Sequence, residues 1–151
     1  MKQIHGTVLD IAGKGVLLLG PSGAGKSDVA LRLMDRGAVL IADDRVELYA
    51  IADKVLATAP KSLRGYIEVR GLGITSVPVS GGTTIALVVE LVPSADVPRL
   101  PKVLYKGIAG RKIPLIRLNA FEVSTPIKIE LAVGGVERIG GEGPSDRESR
   151  G

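Results

Sequence analysis

Eight consecutive residues carry the first recognisable chemistry in this chain. Gly20-Pro21-Ser22-Gly23-Ala24-Gly25-Lys26-Ser27 matches G-x-x-x-x-G-K-[ST] at every fixed position. The spacing has a physical basis. Glycines at 20, 23 and 25 let successive backbone N–H groups turn inward around an anion, and a helix opening near Lys26 adds the positive end of its dipole. Lys26 is then placed to reach the β- and γ-phosphates of a nucleoside triphosphate, and the Ser27 hydroxyl to ligand Mg²⁺. Such a loop does not by itself distinguish hydrolysis, transfer or sensing.

Three further groups of residues bear on that question. Asp43-Asp44 follows the apolar run Val39-Leu40-Ile41-Ala42, so two carboxylates stand at the C-terminal end of a buried strand, where open α/β sheets place their ligands. Neighbours on an extended chain point to opposite sides. One of the pair can therefore face the reacting centre, as Mg²⁺ ligand or as base for a hydroxyl proton, while the other pairs with Arg45 or holds the turn. A solvated Asp-Asp turn is the plainer alternative. In Ile67-Glu68-Val69-Arg70-Gly71-Leu72-Gly73, Glu68 and Arg70 share a face, which on these residues alone suits an edge strand with a solvated charge pair. His5 is the one histidine, beside Gly6; unaided, it reads as structural or solvated.

The elements that must position these groups follow from periodicity. Gln3 to Asp10 alternates loosely and reads as a strand, and Gly15 to Leu19 as a short buried one ending in glycine. Beyond Ser27 the period changes: Val29, Ala30, Leu33 and Met34 make one apolar helical face from about Lys26 to Arg36, stopped by Gly37. Val39 to Ala42 is the next strand, and Val46 to Ala50 with Lys54 to Thr58 form a hairpin across Ala52-Asp53. Tyr66 to Val69, Thr83 to Leu91 and Ile113 to Leu118 are further strands. Thr125-Pro126 reads as an N-cap with proline at the first helical position, opening a short helix from Pro126 to Val133 whose β-branched residues also allow a strand. Residues 1–133 then form one domain. From Gly134 apolar periodicity is lost, and 134–151 reads as a disordered tail.

Composition narrows the function classes. With 151 residues and 45% hydrophobic content the chain suits one domain with a real core. Aromatics are only 3% and Trp is absent, which argues against a base-stacking single-strand binder. A net charge of +4 without a dense Lys/Arg run suits an anionic substrate rather than nucleic acid. The absence of cysteine excludes disulfides and thiolate metal sites. No run is long enough to span a membrane and the N-terminus has no cleavage pattern, so a cytoplasmic protein is expected.

Taken in order and spacing, Ile4-His5-Gly6, Gly20 to Ser27, Leu40-Ile41-Ala42-Asp43-Asp44-Arg45 and Ile67-Glu68-Val69-Arg70-Gly71-Leu72-Gly73-Ile74 resemble the catalytic domain of HPr kinase/phosphorylase. The resemblance runs from about His5 to Leu118, and Glu-x-Arg-Gly-Leu-Gly is that family's own motif. It implies an α/β fold, a P-loop-containing kinase domain with a mixed sheet and few helices, phosphoenolpyruvate-carboxykinase-like. It also implies a bacterial protein-serine kinase that uses ATP and Mg²⁺ on HPr, a carrier of the sugar phosphotransferase system. Many members also remove the phosphate with inorganic phosphate, releasing pyrophosphate. By the same resemblance Asp43 takes the proton of the target serine, Ser27 and Glu68 are metal ligands, and His5 and Lys26 complete the active site. Arg99 falls where the family carries an active-site arginine that neutralises the transferring phosphate. A hexameric homo-oligomer is implied too.

Two departures qualify that reading. The chain begins almost at the histidine, without the extra N-terminal domain of longer members. After Leu118, where the family runs through Pro-Val-x-x-Gly-Arg-Asn, this chain reads Asn119-Ala120-Phe121-Glu122-Val123-Ser124-Thr125-Pro126. The glycine and arginine of a segment tied to dephosphorylation are missing. Kinase activity is therefore expected above phosphorylase activity, as in short members from bacteria without a full phosphotransferase system. A small-molecule kinase and a non-catalytic nucleotide-sensing module are the competing functions.

Overall fold

In the computed structural model, which describes residues 1–135 and 139–140, eleven strands and two α-helices are arranged around a short central run of parallel strands. The strands are β1 (Lys2–His5), β2 (Thr7–Ile11), β3 (Lys14–Leu19), β4 (Val39–Ala42), β5 (Arg45–Ile51), β6 (Lys54–Thr58), β7 (Tyr66–Val69), β8 (Gly73–Ser76), β9 (Thr83–Leu91), β10 (Leu104–Ile108) and β11 (Arg111–Leu118). The helices are α1 (Lys26–Asp35) and α2 (Thr125–Val133).

β9 is the axis of the molecule. It pairs in parallel with β3 on one side and with β11 on the other, and its first residues pair antiparallel with β6. From β3 the sheet continues through β2 to β4, and from β6 through β5 to β1; β10 flanks β11. β7 and β8 form a separate two-stranded hairpin. The result is the mixed sheet with few helices that the family resemblance implied.

The alternation of side chains sorts the apolar residues into two cores, one on each face of the sheet. Val16 and Leu18 of β3, with Leu87, Val89 and Leu91 of β9, point toward α1 and α2 and meet Val29, Ala30, Leu33 and Ile129. Leu17 and Val88 point the other way, against Val46, Leu48, Val55 and Ala57 of the β5–β6 wing. Ile139 also packs into the helical-side core. Burial on both faces explains why β3 and β9 read as continuous apolar runs. No helix among the described residues is long and apolar enough to cross a membrane.

The structure departs from the sequence reading in three respects. Gln3 to Asp10 is two strands rather than one: β1 pairs with β5, β2 with β3 and β4, and the chain changes partners at Gly6. A Cβ at Gly6 would lie 3.0 Å from Leu17 Cδ1 and 3.1 Å from the Leu18 carbonyl, so glycine suits the close crossing there. The strands β8 and β10 were not foreseen, because both are largely exposed and show no clean alternation. The cap of α2 is Ser124, one residue before the expected Thr125, whose hydroxyl donates to the Asn119 carbonyl instead. The β-branched residues of 125–133 are helical, as Ile129 and Val133 are buried against the core. The expected tail lies, but for Gly134, Gly135, Ile139 and Gly140, outside the described residues.

Candidate active site

Strand direction assembles the site. β3, β9 and β11 run in parallel, and β4, antiparallel to β2, runs in their sense as well. Their C-terminal ends therefore share one edge of the sheet, which brings together the loop after Leu19, Val92, Asn119 and Asp43. β2 runs the opposite way, so its first residue, Thr7, and the preceding His5-Gly6 come to that same edge. This is the position at which open parallel sheets hold ligands.

The loop is built locally. The Ala24 N–H donates to the Pro21 carbonyl at 3.0 Å, closing a turn whose third residue, Gly23, has φ 84°. Gly25 stands before α1 at φ 98°, and a Cβ there would lie 2.5 Å from Ala120 Cβ and 3.3 Å from the Phe121 ring. Both backbone and packing demand glycine. Gly25→Ala is expected to lower unfolding stability by about 2 kcal/mol or more, from the left-handed conformation and the overpacking together; chemical denaturation measures it. The N–H groups of Lys26, Ser27 and Asp28 open α1 and have no partner in the preceding turn, which leaves them aimed at the loop. The Lys26 ammonium lies across the loop, 2.5 Å from the Gly20 carbonyl and 3.1 Å from that of Pro21.

Asp43 is the buried carboxylate of the site, with 9% of its surface exposed. Its Oδ1 accepts from the buried Thr7 hydroxyl at 2.9 Å and from the Ser27 hydroxyl at 3.4 Å. Its Oδ2 accepts the Glu68 backbone N–H at 3.2 Å, which ties β7 to the end of β4. Asp44 is turned outward at φ 70°, in a tight turn closed by the Arg45 N–H donating to the Asp43 carbonyl at 2.9 Å. A non-glycine residue held there stores of order 1–3 kcal/mol of strain, and the Asp44 carbonyl is anchored by the Gly6 N–H at 3.1 Å. The opposite orientation expected of the two aspartates is thus observed, with Asp43 inward and Asp44 in the turn.

The remaining candidates are less tightly joined. Glu68 touches the site through its backbone, and its side chain is exposed. The His5 Nδ1 lies 3.7 Å from Asp44 Oδ1 at the solvent-facing rim. Arg99 sits on an exposed bend after β9, and none of the described hydrogen bonds or ion pairs joins it to the others. Sequence reading missed Thr7 and Arg32, and marked the Asn119–Glu122 segment only as a departure from the family pattern. Thr7 shows itself in the sequence as a polar residue inside a buried run; Arg32 gave no signal, since its role depends on which backbone it meets.

A cleft of about 550 Å³ opens from the loop, lined by Gly20 to Ala24, the end of β9 through Pro93, Asn119 and Phe121. No group of three His, Cys, Asp or Glu side chains positioned to hold a metal occurs among the described residues. The oxygen donors present, the Ser27 hydroxyl and the Asp43 carboxylate with Glu68 alongside, suit Mg²⁺, which keeps several waters and takes few protein ligands.

A family model, the HPr serine kinase C-terminal domain, matches residues 1–123. The chain belongs to this family. It is 39% identical over 139 residues to the HPr kinase/phosphorylase of Lactobacillus johnsonii, covering 85% of this chain and 42% of that protein. It is 52% identical over 83 residues to the HPr kinase/phosphorylase of Limosilactobacillus reuteri, covering 54% and 26%. The solved structure of the Hpr(Ser) kinase/phosphatase from Coxiella burnetii superposes with a TM-score of 0.78 at 29% identity, over 89% of both chains. The chain therefore spans less than half the length of these curated kinase/phosphorylase relatives, and the matched part is the family's C-terminal domain.

Proposed function

We propose that this chain is an ATP- and Mg²⁺-dependent protein-serine kinase acting on HPr or a related phosphocarrier. The observation that carries the reading is the Ser27–Asp43 contact: the hydroxyl that closes the phosphate loop and the one buried carboxylate of the sheet edge are 3.4 Å apart. A carboxylate so close to the γ-phosphate position can accept a proton from an incoming hydroxyl.

The chain's own groups then divide the work. N–H groups of the loop and of the first turn of α1, with the Lys26 ammonium, hold the triphosphate and the charge that spreads onto its γ-oxygens. Thr7 and the Glu68 N–H fix both oxygens of Asp43, leaving remaining lone pairs for the serine proton. The serine oxygen bonds to the γ-phosphorus as the bond to the ADP oxygen breaks, and the proton passes to Asp43. Ser27 and Glu68 are the residues that would hold Mg²⁺, which when bound would supply charge neutralisation on the phosphates. His5 and Arg99 belong to the proposal at the rim, the arginine from an exposed bend that must approach the phosphate. Phosphorolysis would run the same groups in reverse, with Asp43 returning the proton.

Incubation of the chain with ATP, Mg²⁺ and purified HPr, read by mass spectrometry, is expected to add one phosphate to a carrier serine. Addition of inorganic phosphate afterwards reports the reverse reaction. Phosphate appearing on metabolites in a screen, and none on the carrier, would overturn the assignment.

A further inference from the structure

The altered segment after β11 has a structural role that the proposed phosphotransfer chemistry does not use. Phe121, the single phenylalanine of the chain, is 68% exposed yet stands on a closely held backbone. The Asn119 amide donates to the Val92 carbonyl at 3.0 Å, and its oxygen accepts the Phe121 N–H at 3.0 Å. From the other side the Arg32 guanidinium of α1 donates to the carbonyls of Ala120 and, at 3.0 Å, Glu122. One edge of the ring meets the open face of Gly25, 3.3 Å from where a Cβ would be, and the ring lines the cleft that begins at the phosphate loop. Val92 and Pro93 line the same cleft.

We propose that Phe121 is the stacking platform for the base of the nucleotide whose phosphates the loop holds, making this cleft a nucleobase subsite. The inference rests on the reading of Gly20 to Ser27 as a triphosphate loop. Three observations join in it. The cleft is continuous with the loop, so a base seated there stays attached to phosphates at Ser22 to Ser27. Its size, about 550 Å³, lies within the range of ligand pockets. The backbone that carries its aromatic ring is held by hydrogen bonds from two separate elements, so little backbone ordering is needed on binding.

The same geometry sets the selectivity. Both functions of the Asn119 amide are engaged with backbone, and the Glu90 carboxylate accepts from Arg117 at 2.9 Å. The side chains best suited to read a base edge are committed elsewhere, and recognition falls to the ring face, which tolerates any base. ATP and GTP are expected to bind within about tenfold of each other on this ground.

Calorimetry on the full chain with Mg²⁺ complexes of ATP, GTP and tripolyphosphate tests the inference. The wild-type chain should bind ATP more tightly than tripolyphosphate. Phe121→Ala should weaken ATP by about 5- to 100-fold, the range found for removing one base-stacking aromatic, and leave tripolyphosphate within about twofold. Phe121→Trp should keep ATP affinity and introduce the chain's only tryptophan, whose emission ATP would quench and tripolyphosphate would not. Because the ring is largely exposed, both variants should retain the wild-type melting curve, which circular dichroism checks. Unchanged ATP binding by Phe121→Ala, or a preference above about a hundredfold between ATP and GTP, overturns the stacking site while the loop reading stands. A wild-type chain that binds neither tripolyphosphate nor ATP removes the loop reading, and the base site falls with it.

Discussion

Asp43→Asn is expected to slow phosphoryl transfer to the carrier by about 10²- to 10⁴-fold, the usual contribution of a positioned acid–base group. The structure sharpens what that substitution changes. An asparagine oxygen can still accept from Thr7 and Ser27, but its NH₂ group then faces the Glu68 N–H, two donors at 3.2 Å. Turning the amide over moves the conflict to the two hydroxyls, whose protons can rotate away. In the first orientation the substitution loses proton acceptance and one hydrogen bond of about 1–3 kcal/mol; in the second the NH₂ group donates to the hydroxyl oxygens and only proton acceptance is lost. The two effects separate in measurement. Loss of the base lowers kcat, while a displaced β7 lowers stability. ATP affinity by calorimetry should stay within a few-fold of wild type. Transfer at the wild-type rate in a folded Asp43→Asn variant removes the residue from the base role.

Lys26→Ala is expected to abolish transfer to within the detection limit, a loss of about 10³-fold or more, since it deletes the charge that tracks the γ-phosphoryl group. The fold should survive. Lys26 is the first residue of α1, its ammonium bonds only loop carbonyls, and alanine is the best helix former. Lys26→Arg is an informative companion. The guanidinium keeps the charge but is a wider, planar fork, and a loop whose carbonyls already close on the ammonium at 2.5 and 3.1 Å has little room for it. Arginine should therefore recover binding of tripolyphosphate before it recovers turnover. Equal transfer rates for wild type and Lys26→Ala would show that the loop holds no reacting phosphate.

The two substitutions probe the carboxylate and the ammonium of the candidate site, and they illustrate how unevenly the site could be read from sequence. The loop was legible because its physics is local: glycines at fixed offsets, a strand before and an amphipathic helix after. The sequence suggested that Asp43 and Asp44 face opposite ways, and the structure places Asp44 in a strained turn and Asp43 under Thr7. Glu68 was placed near the site by family resemblance alone. Its contact with Asp43 runs through a backbone N–H 25 residues further along the chain, which no periodicity reveals. The break at Gly6 was missed because a change of strand partner leaves the alternation of the flanking residues almost unaltered.

What this sequence determines by itself is a glycine-rich G-x-x-x-x-G-K-S loop between β3 and α1, the apolar strands around it, and membership of the HPr serine kinase C-terminal domain family. These rest on residue type and short spacing. The tertiary structure decided which groups meet. Parallel pairing of β3, β9 and β11 places three strand ends at one edge, while the antiparallel course of β2 delivers Thr7 to the same edge from the start of its strand. The tertiary structure also seats Phe121 against Gly25, 96 residues apart in sequence. Such contacts depend on strand direction and on hydrogen bonds between distant segments, and both exist only once the sheet has closed around β9.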